Sequence, residues 1–145
     1  MGWFKKSGWE TRYWDNGNEM IKEQYINGEK LQELNYYSDG KKQLHMMYDP
    51  IEMSRSVMEW FGNGQLKYSR MSIKGRLEGK WETWYENGQK ESERNYKEDY
   101  QNGYHRQWYE NGQMKLEEVW GMDELFITIG KWNEDGSPIE LDIKH

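Results

Sequence analysis

Residues 81–90 read Trp-Glu-Thr-Trp-Tyr-Glu-Asn-Gly-Gln-Lys, and this stretch decides the fold of the 145-residue chain. It places two bulky residues and a spacer before Asn-Gly, and residues 108–112 repeat that order as Trp-Tyr-Glu-Asn-Gly. Asn-Gly is typical of a two-residue type I′ turn, in which both central residues have a positive φ. The stretch therefore predicts a β-hairpin that turns at Asn87-Gly88.

The same turn signal occurs six times along the chain, at intervals of 23 or 24 residues. The turn glycines are Gly17, Gly40, Gly64, Gly88, Gly112 and Gly136. The residues that precede them are Asn16, Asp39, Asn63, Asn87, Asn111 and Asp135. Such periodicity predicts tandem strand–turn–strand units joined by looser connectors, some with their own glycine, as in Asn27-Gly28 and Asn102-Gly103. Residues 1–145 are predicted to form a single repeat domain.

Bulky residues form two columns just before the turns. Four residues before the glycine stand Tyr13, Tyr36, Trp60, Trp84, Trp108 and Trp132. Three residues before it stand Trp14, Tyr37, Phe61, Tyr85 and Tyr109, with Asn133 in the last unit. Adjacent residues of a strand point to opposite faces, so the columns are expected on opposite faces of the sheet. Neither face has the consistent aliphatic pattern of a sandwich, which predicts an all-β, extended single-layer antiparallel meander of about six hairpin repeats.

The last unit and the composition add further expectations. Asn133 and Lys144 replace aromatic residues there, as in a polar capping repeat. The chain has no cysteine, which excludes disulfides, and no apolar run suited to a signal peptide or a membrane span, so a cytoplasmic protein is expected.

The net charge is −6, and its excess of acid lies in the C-terminal half. That excess disfavours nucleic acid or an anionic membrane as partner and favours a basic protein, although a merely solubilising surface also fits it.

Residues 81–90 and 104–115 resemble the MORN repeat in its bacterial variant, which has a Trp/Tyr-Tyr-x-Asn-Gly-x-Leu/Lys core. The resemblance extends from about Gly8 to Ile139 and is strongest in the fourth and fifth units. It implies a MORN-like fold and similarity to the YwqK-like antitoxin and immunity proteins of toxin–antitoxin modules. The wider family is associated with scaffolding, dimerisation and phospholipid contact. The resemblance supplies no catalytic residue.

No pattern in the chain predicts an enzyme, a cofactor site or a metal site. The three histidines, His45, His105 and His145, are not spaced as metal ligands, and phosphate-binding glycine loops are absent. Pairs of carboxylates are expected by chance in a chain that is 32% charged. We therefore expect a binding protein and not an enzyme.

Two sets of residues are predicted to contact the partner. The tryptophan column is expected mainly to hold the sheet together. The neighbouring column is the candidate for aromatic anchors: Trp14, Tyr37, Phe61, Tyr85 and Tyr109. The second set is acidic and consists of Glu91, Glu93, Glu117 and Glu118. Glu93 and Glu117 hold equivalent positions in neighbouring hairpins, so a basic partner is expected to relieve their repulsion.

Two functions follow from these expectations. The first is an antitoxin or immunity protein that neutralises a basic toxin or effector by direct contact. The alternative is a MORN-type scaffold that self-associates through the open edges of its sheet or contacts membrane phospholipid. The longest basic segments are Lys5-Lys6 and Lys41-Lys42, which gives little support for the membrane.

Overall fold

The computed structural model describes residues 5–141, which form an all-β chain in one antiparallel sheet of twelve strands. Lys144 and His145 lie outside the described residues. The strands are β1 (Gly8–Tyr13), β2 (Glu19–Ile26), β3 (Glu29–Tyr36), β4 (Lys42–Asp49), β5 (Ser54–Trp60), β6 (Leu66–Ile73), β7 (Arg76–Leu77), β8 (Gly79–Trp84), β9 (Lys90–Lys97), β10 (Tyr100–Trp108), β11 (Met114–Gly121) and β12 (Glu124–Lys131).

Apart from β7, the strands pair with one another in chain order, which confirms the predicted open meander. The short strand β7 pairs with β6 only, and β8 follows it as the next strand of the main path. Eleven strand positions at about 4.8 Å each make a sheet about 50 Å long.

The sheet has no enclosed core. The accessible surface is 10013 Å², against about 8,000 Å² for a compact protein of this mass. Among the described residues the only buried hydrophobic side chains are Leu34 and Val57, and no large side chain is fully buried. Stability must therefore come from contacts between neighbouring strands and between successive hairpins.

The Asn-Gly and Asp-Gly turns differ from the type I′ turns that the sequence predicts. At the fourth turn Gly88 N donates to Tyr85 O at 2.9 Å, and Tyr85 N donates to Gln89 O at 2.8 Å. Gly88 has φ +88°, whereas Asn87 is not among the residues with positive φ. This is a three-residue loop, a type I turn closed by a glycine in the left-handed region. Asn or Asp occupies the third position of that turn because its side chain caps the backbone, as shown below.

The connectors are tighter than predicted. Type I′ geometry, with two positive φ values in succession, occurs at Asn27-Gly28, Lys74-Gly75, Glu98-Asp99 and Met122-Asp123. Asn102-Gly103, which the sequence suggests as a connector, lies inside β10 at a register irregularity. The error arose because Glu98-Asp99 and Met122-Asp123 adopt the turn without glycine.

The sixth unit is only partly formed within residues 5–141. Its return segment makes a single bridge between Trp132 and Pro138, and Ile139 N donates to Lys131 O at 2.8 Å. The polar Asn133 is exposed beside this turn, as expected of a cap.

Strand register places the two bulky columns on opposite faces, as predicted. Trp81 pairs with Arg94 and Thr83 with Ser92, on the face that also carries Tyr85. We call this the tyrosine face. Glu82 pairs with Glu93 on the opposite face, which carries Trp84 and Trp108 and is called the tryptophan face.

Candidate partner-binding surfaces

The column predicted to anchor a partner also joins successive hairpins. The hydroxyls of Tyr37, Tyr85 and Tyr109 donate to the carbonyl oxygens of Trp60, Trp108 and Trp132 at 2.8, 2.9 and 2.9 Å. The indole nitrogen of Trp14 donates to Tyr36 O at 3.2 Å. Phe61 has no hydroxyl and makes no such bond. Four of the five rings are half-buried and Trp14 is exposed, so each retains some surface, and their contact with a partner stays a prediction.

The asparagines of the turns form a second ladder. Each turn Asn or Asp accepts a hydrogen bond through Oδ1 from the backbone nitrogen two residues later, as Asn87 does from Gln89 at 2.9 Å. The Asn side chains also donate from Nδ2 to a carbonyl of the next turn. These bonds are Asn16 to Ser38, Asn63 to Glu86, Asn87 to Glu110 and Asn111 to Glu134, at 2.7 to 2.8 Å.

Asp39 cannot make the second of these bonds because a carboxylate has no hydrogen to donate. Lys41 Nζ instead donates to Gly62 O at 3.0 Å and pairs with Asp39 Oδ2 at 3.0 Å. In the sequence pattern Asn and Asp appear as equivalent turn formers. Only Asn, through its Nδ2 donor, links successive turns.

The acidic residues predicted to repel one another are already paired. Glu93 is buried on the tryptophan face and pairs with Lys80 at 3.3 Å and Lys90 at 3.0 Å. Burial alone would raise the pKa of Glu93, but these two lysines hold it below its usual value. Arg106 on β10 lies between β9 and β11, and its Nε donates to Glu117 at 2.7 Å. Repulsion between Glu93 and Glu117 therefore provides no drive toward a basic partner, which corrects that expectation.

Glu118 belongs to a buried polar cluster on the tyrosine face. Arg94 Nε donates to His105 Nε2 at 3.2 Å, so that nitrogen is the acceptor and the imidazole donates through Nδ1 to Glu118 Oε2 at 3.2 Å. Trp120 Nε1 donates to the same oxygen at 3.0 Å. Burial and the neighbouring Arg94 lower the pKa of His105, against the opposing effect of Glu118. Glu118 thus positions the imidazole and is not free for a partner.

Four other carboxylates are exposed and form what we call the acidic turn edge: Glu86, Glu91, Glu110 and Glu134. Within residues 5–141 no Lys, Arg or His nitrogen lies within 4.0 Å of them. Glu86, Glu110 and Glu134 occupy the same position in successive turns, and their backbone carbonyls accept the Asn ladder bonds. The pKa of Tyr85 is raised by burial first and then by Glu91, Glu110 and Glu134. Of the four predicted acidic contacts, only Glu91 lies here. The other three members of this edge, Glu86, Glu110 and Glu134, were not predicted, although their 24-residue spacing is visible in the sequence.

Two open grooves lie on the tyrosine face in the middle of the sheet. One, of about 380 Å³, is lined by Trp81, Thr83, Glu91, Arg94 and Lys115, among others. The other, of about 510 Å³, is lined by Arg55, Val57, Arg70 and Asp99, among others.

Neither a membrane-spanning helix nor a metal-binding cluster is found in residues 5–141. No helix in that range is long and apolar enough to cross a bilayer. No three His, Cys, Asp or Glu side chains in the described part of the chain are grouped to hold a metal ion.

The family model described as the MORN repeat variant matches residues 77–98 and 101–120. These segments cover β7 to β9 and most of β10 and β11, the fourth and fifth hairpins. No curated protein matches the chain. The match confirms the resemblance where it was strongest, and the other hairpins repeat the same turn geometry. The fourth and fifth hairpins are thus similar to MORN repeats, which supports a repeat-based binding scaffold.

Proposed function

We propose that this scaffold is an antitoxin or immunity-type protein, which neutralises a cognate toxin or effector in the cytoplasm by direct contact and without catalysis. The observation that carries the proposal is the acidic turn edge, a row of carboxylates without cationic partners in residues 5–141. A row of one sign favours a partner of the opposite sign and speeds its association. Toxins that act on nucleic acid have basic surfaces of this kind, because their substrate is polyanionic.

The geometry of this edge suits recognition of a folded basic surface. Successive hairpins advance by two strands, so Glu86, Glu110 and Glu134 repeat at about 10 Å. The Asn ladder holds the backbone at each of these residues, which reduces the entropy lost when a partner binds. Glu91 and the exposed part of Tyr85 line the same groove on the tyrosine face, and this tyrosine would add aromatic contact. Neutralisation would then follow from steric occlusion of the toxin's active surface.

The proposal is tested with the product of the open reading frame adjacent to the gene. Expression of that product is expected to arrest growth, and co-expression of this chain is expected to restore it. Replacing Glu86, Glu110 and Glu134 together by Lys should abolish the rescue and slow association in a binding assay. A matched control replaces three exposed carboxylates elsewhere, Glu29, Glu52 and Glu124, by Lys. If both triple variants behave alike, or no adjacent product is toxic, the proposal is wrong.

A self-associating scaffold is the second candidate, favoured by one feature of the last strand. Leu125, Phe126 and Ile127 of β12 are 47, 67 and 56% exposed, at an edge of the sheet. An exposed apolar edge strand is a template for pairing with another chain. A dimer in sedimentation equilibrium that dissociates in Ile127→Lys would favour this function. Flotation with anionic vesicles would favour the membrane-bound form of the scaffold.

A further inference from the structure

The arginines divide into two groups within the described residues. Arg12, Arg76 and Arg106 each pair with a glutamate. Arg55, Arg70 and Arg94 have no carboxylate within 4.0 Å among residues 5–141. These three lie on β5, β6 and β9, and the two grooves described above are lined by them. The middle of the tyrosine face therefore carries three arginines that form no ion pair within the described residues, although Glu91 and Asp99 line the grooves beside them.

Arg94 is held in place by buried groups. Its Nε donates to His105, which is 7% exposed and is itself fixed by Glu118 and Trp120. Only the Nε of the guanidinium is used in this contact, so both terminal nitrogens remain for a ligand in the groove. A guanidinium fixed in this way loses little entropy when it binds an oxyanion with two parallel hydrogen bonds.

Arg70 lies on the other side of Trp81. Trp81 pairs directly with Arg94, and the register of β6 and β8 places Arg70 beside Trp81. The Arg70 guanidinium lies over the indole, 5.9 Å from the ring centroid. The groove near Arg94 is also lined by Thr83 and Ser92, whose hydroxyls bond to each other at 2.8 Å, and by Gln107, whose amide contacts His105 Nε2 at 3.1 Å.

The spacing of the two arginines defines the ligand. They are two strands apart, which corresponds to about 10 Å between their Cα atoms. A peptide in the extended polyproline II conformation has three residues per turn and rises about 3.1 Å per residue, so side chains three residues apart lie on the same side, about 9 Å from each other. Carboxylates three residues apart on such a segment would therefore reach one arginine each.

From these observations we infer that Arg70 and Arg94 form a carboxylate-binding site for an extended acidic peptide segment that crosses the strands on the tyrosine face. Trp81 forms the floor between the two arginines, and Arg55 extends the cationic surface toward β5. This site differs in sign from the acidic turn edge, with which it shares the lining residue Glu91, and it does not depend on whether the chain neutralises a toxin.

The test uses two synthetic peptides of equal length and composition, one with two glutamates three residues apart and one with them adjacent. Calorimetric titration should show tighter binding of the first. Arg70→Gln, which removes an exposed side chain, should weaken that binding roughly tenfold, and Arg94→Gln at least as much. Arg76→Gln removes an exposed arginine that pairs with Glu98 and should change the affinity little.

Three results would overturn the inference. The first is equal binding of the two peptides, and the second is an equal loss of affinity in Arg76→Gln, which would show non-specific charge attraction. The third is that inorganic phosphate or anionic vesicles bind through Arg70 and Arg94 while neither peptide binds. Because Arg70 is exposed and forms no ion pair among the described residues, its variant remains informative even if Arg94→Gln fails to fold.

Discussion

The hydroxyl of Tyr85 donates to the carbonyl oxygen of Trp108 at 2.9 Å, and this bond joins the fourth hairpin to the fifth. The corresponding position in the third hairpin is Phe61, which has the ring without the donor. The hydroxyl oxygen that Phe61 lacks therefore decides whether a hairpin is hydrogen-bonded to the next one through this column.

Tyr85→Phe is expected to lower the free energy of unfolding by about 1 kcal/mol, the usual net value of such a hydrogen bond. Phe61→Tyr is expected to raise it by a similar or smaller amount, because the new hydroxyl would face the carbonyl of Trp84. Urea titration followed by tryptophan fluorescence measures both changes. Equal stability of all three proteins would show that this ladder contributes nothing.

Asn87→Asp tests the second ladder. The aspartate keeps the bond from Gln89 N but loses the donor to Glu110 O, and it adds a charge beside the acidic turn edge. We expect a loss of about 1 kcal/mol that shrinks with added salt but does not vanish, because only the repulsion is screened. Asp135→Asn is the control, since Asp135 in the last turn has no following turn among the described residues. A similar change in both variants would contradict this role of Asn87.

Gly130→Ala tests a steric contact. A Cβ at residue 130 would overlap the ring of Trp132, which lies against this glycine on the tryptophan face. The expected cost is about 1–3 kcal/mol, with a change in near-ultraviolet circular dichroism as the indole moves. Gly62→Ala is the matched control, because Gly62 has no positive φ and a Cβ there meets nothing within 4 Å. A Gly130 variant as stable as the control would mean that the ring is loosely packed.

The polar cluster around His105 predicts a dependence of stability on pH. The pKa of His105 lies below its usual value of 6.5 in the folded chain, so the imidazole of the unfolded chain takes up a proton first as the pH falls. The contribution of His105 to the free energy of unfolding is therefore fully present above about pH 6.5. It decreases as the pH falls toward the folded-state pKa, by at most about 1.4 kcal/mol per pH unit.

Unfolding titrations at pH 7.5 and 5.5 check this direction. The pKa of His45 is also lowered, by burial first and then by Lys42, so both histidines contribute. His105→Gln should reduce the difference between the two pH values, and the double variant with His45→Gln should reduce it further. A difference that is unchanged in the double variant would have to come from other groups.

Much of the fold follows from the sequence, because its periodicity lies in turn glycines and in pairs of bulky residues. Each of these residue types has few structural roles. Six glycines in register predict six turns, and adjacent bulky residues predict two opposed columns. The turn type was missed because Asn-Gly serves two turn classes, and the backbone pairing around Tyr85 and Gln89 selects between them. The connectors were misplaced because Glu98-Asp99 and Met122-Asp123 take positive φ values without glycine.

The candidate surfaces were harder to predict. The net charge includes Glu91, Glu93 and Glu117 alike, but cross-strand register pairs Glu93 with Lys80 and Glu117 with Arg106 and leaves Glu91 exposed. Register also decides which arginines remain without a carboxylate. No one-dimensional pattern contains that information, since the cross-strand partners are 11 or 13 residues apart in the chain.

The inter-hairpin bonds have a consequence for how the array comes apart. Between the third and fourth hairpins the tyrosine ladder is interrupted at Phe61, and β6 shares only two registered residue pairs with β8. The fourth to sixth hairpins are joined by both ladders. Hydrogen exchange should therefore divide the chain into two cooperative blocks that separate at β6 and β8. Under a pulling force the two blocks would separate first between β6 and β8, and the C-terminal block would remain folded.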